Sequence, residues 1–223
     1  MSQLAELDFE TYSEAGYMWD GKKWTGYSPT VKGLSAVGAA VYSEHPSTEI
    51  LSLAYDLKDG LGARLWIPGL PAPDDLLEYV ANGGLIEAWN SAFEYFIWKN
   101  VCHKRMGWPA LHYIQLRDAM AKAMAHNLPA SLKGAAKALG TEDKIADGKR
   151  LLNIYSKPRN PTKKDPRTRI RPSDDDQAED SAKLYEYNIG DIVAERGVSE
   201  VLPDLSADEL ELWLLDQLSL IHI

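Results

Sequence analysis

A short segment near the start of the chain, Leu7-Asp8-Phe9-Glu10-Thr11, alternates apolar side chains with carboxylates. In an extended strand, residues i and i+2 project to the same side. Leu7 and Phe9 then share a packed face, and Asp8 and Glu10 share the opposite one. Two neighbouring carboxylates on one face need solvent or a cation. The segment reads either as an amphipathic edge strand with Glu6, Asp8 and Glu10 facing water or as half of a metal site. The choice depends on whether other segments supply further oxygen ligands.

The remaining composition narrows the classes. A single cysteine, Cys102, excludes an internal disulfide framework and fits a reducing compartment. The five histidines, at 45, 103, 112, 126 and 222, form no zinc pattern with it. No segment approaches the ~18 consecutive apolar residues of a membrane span, and the acidic N-terminus lacks the basic flank and apolar run of a secretory signal. A cytoplasmic, non-membrane protein is expected. The net charge of −9 argues against a general nucleic-acid binder, because phosphate contacts come from Lys and Arg. Locally the balance inverts: Lys157, Arg159, Lys163, Lys164, Arg167, Arg169 and Arg171 surround one acid, Asp165. With four prolines between 156 and 177, this stretch reads as an extended arm outside the core, either tracking phosphates or serving as a solvated tether.

The rest of the chain reads as α/β. After the first strand, 16–27 reads as a β-hairpin turning at Asp20-Gly21, its aromatics available for stacking on bases or for burial against the sheet. Strands are expected at Gly38–Tyr42, Glu49–Tyr55 and Gly62–Ile67. A helix is expected from Asp74 to Val80, with acids in its first turn, then a strand over Leu85–Trp89 and a helix reaching about Arg105. Further helices are expected over Leu116–Ala125, Ser131–Leu139 closed by Gly140, and Glu179–Glu195, where Tyr185, Ile189, Ile192 and Val193 make an apolar stripe. Ser206-Ala207-Asp208-Glu209 is a capping box opening a last helix through Leu218.

Two of these segments carry further acids. Asn90-x-x-x-Glu94 lies at a strand–helix junction, where a carboxylate can overhang a sheet edge; Ser91-x-x-Glu94 equally reads as a capping box. Tyr187-x-x-x-Asp191 puts a phenol and a carboxylate on one helix face, a pattern that also fits a surface acid beside a half-buried tyrosine. Asp118, in an apolar helix, reads as structural or as support behind the site.

Taken in order, Asp8-x-Glu10, Asn90-x-x-x-Glu94 and Tyr187-x-x-x-Asp191 resemble the three exonuclease motifs of the DEDD superfamily, most closely its tyrosine branch. Leu7–Ser13, His45–Ile50, Tyr187–Glu195 and Leu202–Ser206 look like the proofreading region of phage-type family-A DNA polymerases. The resemblance spans nearly the whole chain apart from 16–31, which looks like an inserted hairpin. It departs at Glu94, where the family usually has Asp.

The resemblance implies an RNase H-like (DnaQ-like) exonuclease fold over residues 1–200, a mixed β-sheet flanked by helices. Residues 201–223 would be a helical extension that in relatives leads into a polymerase domain, and no polymerase activity is expected. It also implies a two-metal-ion 3′-to-5′ exonuclease releasing nucleoside 5′-monophosphates. Asp8, Glu10, Glu94 and Asp191 would hold two Mg²⁺ or Mn²⁺ ions, with Asp8 bridging, and Tyr187 would orient the attacking water. Thr11, Asn90 and Phe93 are expected to touch substrate. The implied partner is a single-stranded DNA 3′ end, with a polymerase domain or replication protein against the last helix, in the cytoplasm of a bacterial or phage-infected host cell. An RNA-trimming nuclease of the same fold, or a catalytically weak nucleic-acid-binding module of a replication complex, would carry the same motifs.

Overall fold

A computed structural model describes residues 4–27, 30–141 and 148–222. Positions 28 and 29 of the 16–31 insertion, residues 1–3 of the first domain and residue 223 of the extension lie outside them.

The strands are β1 (Leu4–Tyr12), β2 (Tyr17–Trp19), β3 (Trp24–Gly26), β4 (Glu49–Asp56), β5 (Arg64–Trp66), β6 (Leu85–Ala88) and β7 (Leu116–Asp118). Five of them form a mixed sheet in the order β5-β4-β1-β6-β7. β4 runs antiparallel to both β1 and β5, whereas β6 is parallel to both β1 and β7. The helices are α1 (Leu34–Glu44), α2 (Asp74–Ala81), α3 (Ser91–Ile97), α4 (Lys104–Met106), α5 (Ala119–Ala125), α6 (Leu132–Leu139), α7 (Gly148–Tyr155), α8 (Ala178–Ser199) and α9 (Ala207–His222). A π-helical stretch, Trp98–His103, joins α3 to α4.

β1 is central, and its alternation divides the molecule. Ala5, Leu7 and Phe9 enter the main core with Leu76 and Val80 of α2, Ile97 and Trp98, and Trp66 and Trp108. Glu6, Asp8 and Glu10 face the other way, toward α8. The pairing of β1 with β4 jumps from Glu10↔Ser52 to Thr11↔Ile50, leaving Leu51 as a bulge residue. Bulges recur beside functional sites because they re-aim side chains.

Several expectations need correction. Gly38–Tyr42 belongs to α1, not to a strand; its alanines suit a helix, and Gly38 (φ 76, ψ 166) breaks the helix within it. Leu116–Asp118 is the fifth strand, paired Ile86↔Leu116 and Ala88↔Asp118, so tertiary pairing overrides the local helical reading there. The helix begins only at Ala119, where the Asp118 side chain accepts from the Ala121 N–H at 2.8 Å. On α8 the expected apolar stripe holds only in part: Ile192 is buried and Tyr185 and Ile189 are half-buried, but Val193 is exposed, while Leu184, Asn188, Glu195 and Ser199 are buried as well.

The 156–177 arm is packed more closely than expected. Ile170 is buried with Tyr12, Leu151, Tyr155 and Leu184. Arg169 lies 3.7 Å over the Tyr12 ring and pairs with Glu49 through its two terminal nitrogens, Nη1 and Nη2. Arg167 binds Asp165 and Asp176, and Arg159 binds Asp165. The hairpin forms as expected, with Trp19 opposite Trp24 and the Lys22 and Lys23 amides donating to Asp20. At its base, Gly16 (φ +78) lies so close to Gly33 that a Cβ would sit 2.5 Å from the Gly33 carbonyl oxygen. The expected capping box at α9 forms between Ser206 and Glu209.

Candidate metal centre

Three carboxylates from two elements converge. Asp8 and Glu10 project from the same face of β1, and α8 crosses that face carrying Asp191. One ligand oxygen from each lies within 4.8 Å of the others. Burial pushes Asp8 up to about 7, with repulsion from Asp191 adding to the shift and a hydrogen bond from Asn188 opposing it. Burial also holds Glu10 well above the usual carboxylate range, with Asp8 and Asp191 adding to it. Three acids this close disfavour one another's charged forms unless a cation enters. An all-oxygen donor set without Cys or His suits a hard divalent ion such as Mg²⁺ or Mn²⁺, so the residues fit such an ion.

Supporting contacts fix this geometry. The Asn188 amide donates to the Asp8 carboxylate and, at 3.3 Å, to the Asp8 carbonyl. Its oxygen accepts from Ser52 Oγ at 2.8 Å. Asn188 therefore ties α8 to β1 and β4 and sets the side-chain position of Asp8. Tyr187 hydrogen-bonds Asp191, and burial together with the surrounding carboxylates raises its phenol further, so it remains protonated at neutral pH. Its ring lies on Gly148, the first residue of α7; a Cβ there would come 2.1 Å from a ring carbon.

Glu94 is buried next to this group. The alternative capping box is not formed: Asn90, the residue before α3, is left-handed (φ 66) and makes no side-chain cap. Ser91 instead donates from both N–H and Oγ to Asp118. Glu94 Oε2 accepts from the Phe9 amide at 3.2 Å. Burial, then repulsion from Asp8 and Glu195, holds the Glu94 carboxyl well above its usual range. The extra methylene relative to Asp lets the side chain reach across to β1.

The residues expected to touch substrate divide. Phe9, Glu10, Thr11, Tyr42 and Phe93 line a cavity of about 640 Å³ beside the acids. There Thr11 Oγ1 and the Tyr42 hydroxyl are 3.0 Å apart, and Phe93 packs on Tyr42 at 5.8 Å between ring centroids. Asn90 is exposed and does not line it. Asp118 is structural, capping α5 and anchoring α3. Sequence reasoning missed Asn188 and Gly148. The first had a usable signal, since i and i+3 place Asn188 and Asp191 on one helix face; the second had none in its local sequence.

A second acid cluster continues along the same strand face. Glu6 and Glu87 pair in register across β1 and β6, with Asp56 and Glu195 beside them. Here α8 supplies a cation. Arg196 donates to Glu6 from Nε and Nη2, both at 3.0 Å, and also binds Asp56, while Lys58 lies 3.0 Å from Glu6. Glu87 accepts from Ser199 Oγ, which in turn accepts from Lys122.

The chain matches no family model and no curated protein.

Proposed function

We propose that this protein is a divalent-metal-dependent 3′-to-5′ exonuclease of RNase H-like fold that trims single-stranded DNA ends in the manner of a proofreading nuclease. The observation that carries the reading is the convergence of Asp8, Glu10 and Asp191 oxygens within 4.8 Å on a buried strand face. Glu94 and Tyr187 are next to them, in the order and spacing of the three motifs. The mixed sheet with helices on both faces accords with the fold.

Two divalent ions bound among these acids would activate a water and neutralise the charge developing on a phosphodiester. The chain's own groups do the rest. Asp8, Glu10 and Asp191 supply the oxygen donors, and Asn188 holds Asp8 in place. Glu94, anchored on the Phe9 amide, presents a further carboxylate from α3. Tyr187, protonated and held by Asp191 and Gly148, acts as a hydrogen-bonding group that positions water; a general base must take up a proton, which this phenol already carries. The cavity lined by Thr11, Tyr42 and Phe93 opens from Glu10 and offers an aromatic wall for a terminal nucleoside.

The test is digestion of 5′-labelled DNA with Mg²⁺ or Mn²⁺ by the parent and by Asp8→Ala. The parent should release nucleoside 5′-monophosphates stepwise from the 3′ end, and Asp8→Ala should be slower by about 10³-fold or more. A parent that releases no mononucleotides, or an Asp8→Ala variant as active as the parent, overturns the proposal. A matched RNA oligomer, if preferred over DNA, would reassign the substrate to RNA with the same residues.

A further inference from the structure

The cavity beside Glu10 is also lined by cations. Lys32, which follows the inserted hairpin, and Lys157, at the start of the basic arm, both line it. The two residues come from distant segments that are separately pinned. Lys32 is placed by the close passage of Gly33 against Gly16, where the Gly33 amide donates to the Gly16 carbonyl at 3.4 Å. Lys157 is placed by the Ser13 amide, which donates to the Ser156 carbonyl at 3.3 Å, and by its own bond to Asn153. Asn160 of the arm accepts from the Trp24 amide of the hairpin, so the two walls are also joined to each other.

Among the described residues neither lysine forms an ion pair, although Arg159, Arg167 and Arg169 of the same arm all do. Burial and then the nearby Lys32 charge both lower the Lys157 ammonium from its ordinary value. Two cations that line one cavity and repel each other, neither ion-paired among the described residues, favour an anion between them. Glu10 lines the same cavity, which therefore holds both lysines and one acid of the cluster.

We propose that Lys32 and Lys157 grip a backbone phosphate of the substrate strand other than the one cleaved at the acid cluster. The segment at Lys32, which follows the hairpin, and the start of the arm at Lys157 are then the two jaws of a strand clamp. This rests on the nuclease reading of the Asp8 site for its substrate, a single strand, but is testable apart from it. Each jaw contributes one point charge, suited to phosphate without base specificity.

The test is anisotropy titration of 5′-fluorescein oligothymidylate in EDTA, which stops hydrolysis, at several salt concentrations. The parent, K32A/K157A and K32R/K157R are compared. The double alanine variant should bind about tenfold more weakly, with its log–log salt slope flatter by about one, and the double arginine variant should bind like the parent. With Mn²⁺, the p-nitrophenyl ester of thymidine 5′-monophosphate, which has only the scissile phosphate, should be hydrolysed equally by the parent and K32A/K157A. Any one of three results overturns the clamp: no oligonucleotide binding by the parent, an unchanged affinity and slope in K32A/K157A, or an equal loss on the single-phosphate ester. Lysine-dependent binding by a parent that releases no nucleotide would uphold the clamp and refute the exonuclease. Digestion by the parent, with K32A/K157A binding unimpaired, would do the reverse.

Discussion

Two groups of carboxylates share one face of β1 and one covering helix, and they differ in what α8 brings to them. At Glu6 it brings Arg196, one helical turn past Ile192, and with Lys58 this neutralises Glu6 and Asp56. Two residues along the strand, at Asp8 and Glu10, it brings another acid, Asp191. Around Glu6 and Asp56 the first group is a folded-in ion-pair network, although burial and mutual repulsion also hold its Glu87 carboxyl, and Glu195 that α8 adds to it, above their usual range. The second is an excess of like charge that folding has created. A buried cluster that raises its own members' pKa costs stability unless it has a use, and a divalent cation would relieve it.

The largest effects should come from breaking this contrast at each end. Arg196→Met removes the guanidinium shared by Glu6 and Asp56, leaving only Lys58 at Glu6, which should cost about 3 kcal/mol in urea unfolding. Asp191→Asn, at the other end, removes a repulsive charge. It should leave the metal-free protein as stable as the parent or more so, while abolishing stabilisation by Mg²⁺. Equal losses in the two variants would mean that the Asp8 group is also a structural network.

A smaller effect is expected in the pH dependence. With Asp8 pushed up from 3.8 to about 7, the folded chain holds a proton between those values that the unfolded chain has released. Metal-free stability should therefore fall as pH rises through that window. Mg²⁺ should offset the loss, so Tm with and without the ion should diverge with pH, by about 5 °C above pH 7. Parallel curves would contradict the picture. The smallest change is Gly148→Ala, whose Cβ would meet the Tyr187 ring. It should lower nuclease turnover about tenfold, as Tyr187→Phe should, with little change in metal affinity. Full activity in Gly148→Ala would show that the seat of Tyr187 does not matter.

The strand at Leu7–Thr11 was legible because period-two alternation is local, and so were the hairpin at Asp20-Gly21 and the Ser206–Glu209 cap. The candidate site was legible as three motifs, because each lies within five residues. What bridges elements was hidden. Leu116–Asp118 becomes a strand only because β6 is there to pair with it. Glu94 abandons a plausible cap for the Phe9 amide, 85 positions away. The packed side of α8 was read only in part because much of it is polar: beside the buried Leu184 and Ile192, Asn188, Asp191, Glu195 and Ser199 meet carboxylates and serines, and hydrophobic periodicity cannot register such an interface. The arm's arginines were read as tracking phosphate or sitting on a solvated tether, whereas Arg169 pairs with Glu49, an acid whose proximity only the fold creates.

The central claim is that the Asp8 group, and not the Glu6 group, takes up metal. Anomalous diffraction from crystals soaked in Mn²⁺ tests this directly. A peak bounded by Asp8, Glu10 and Asp191 is expected, absent from crystals of Asp191→Asn. No peak at that position, or a peak among Glu6, Glu87 and Glu195 instead, would contradict it.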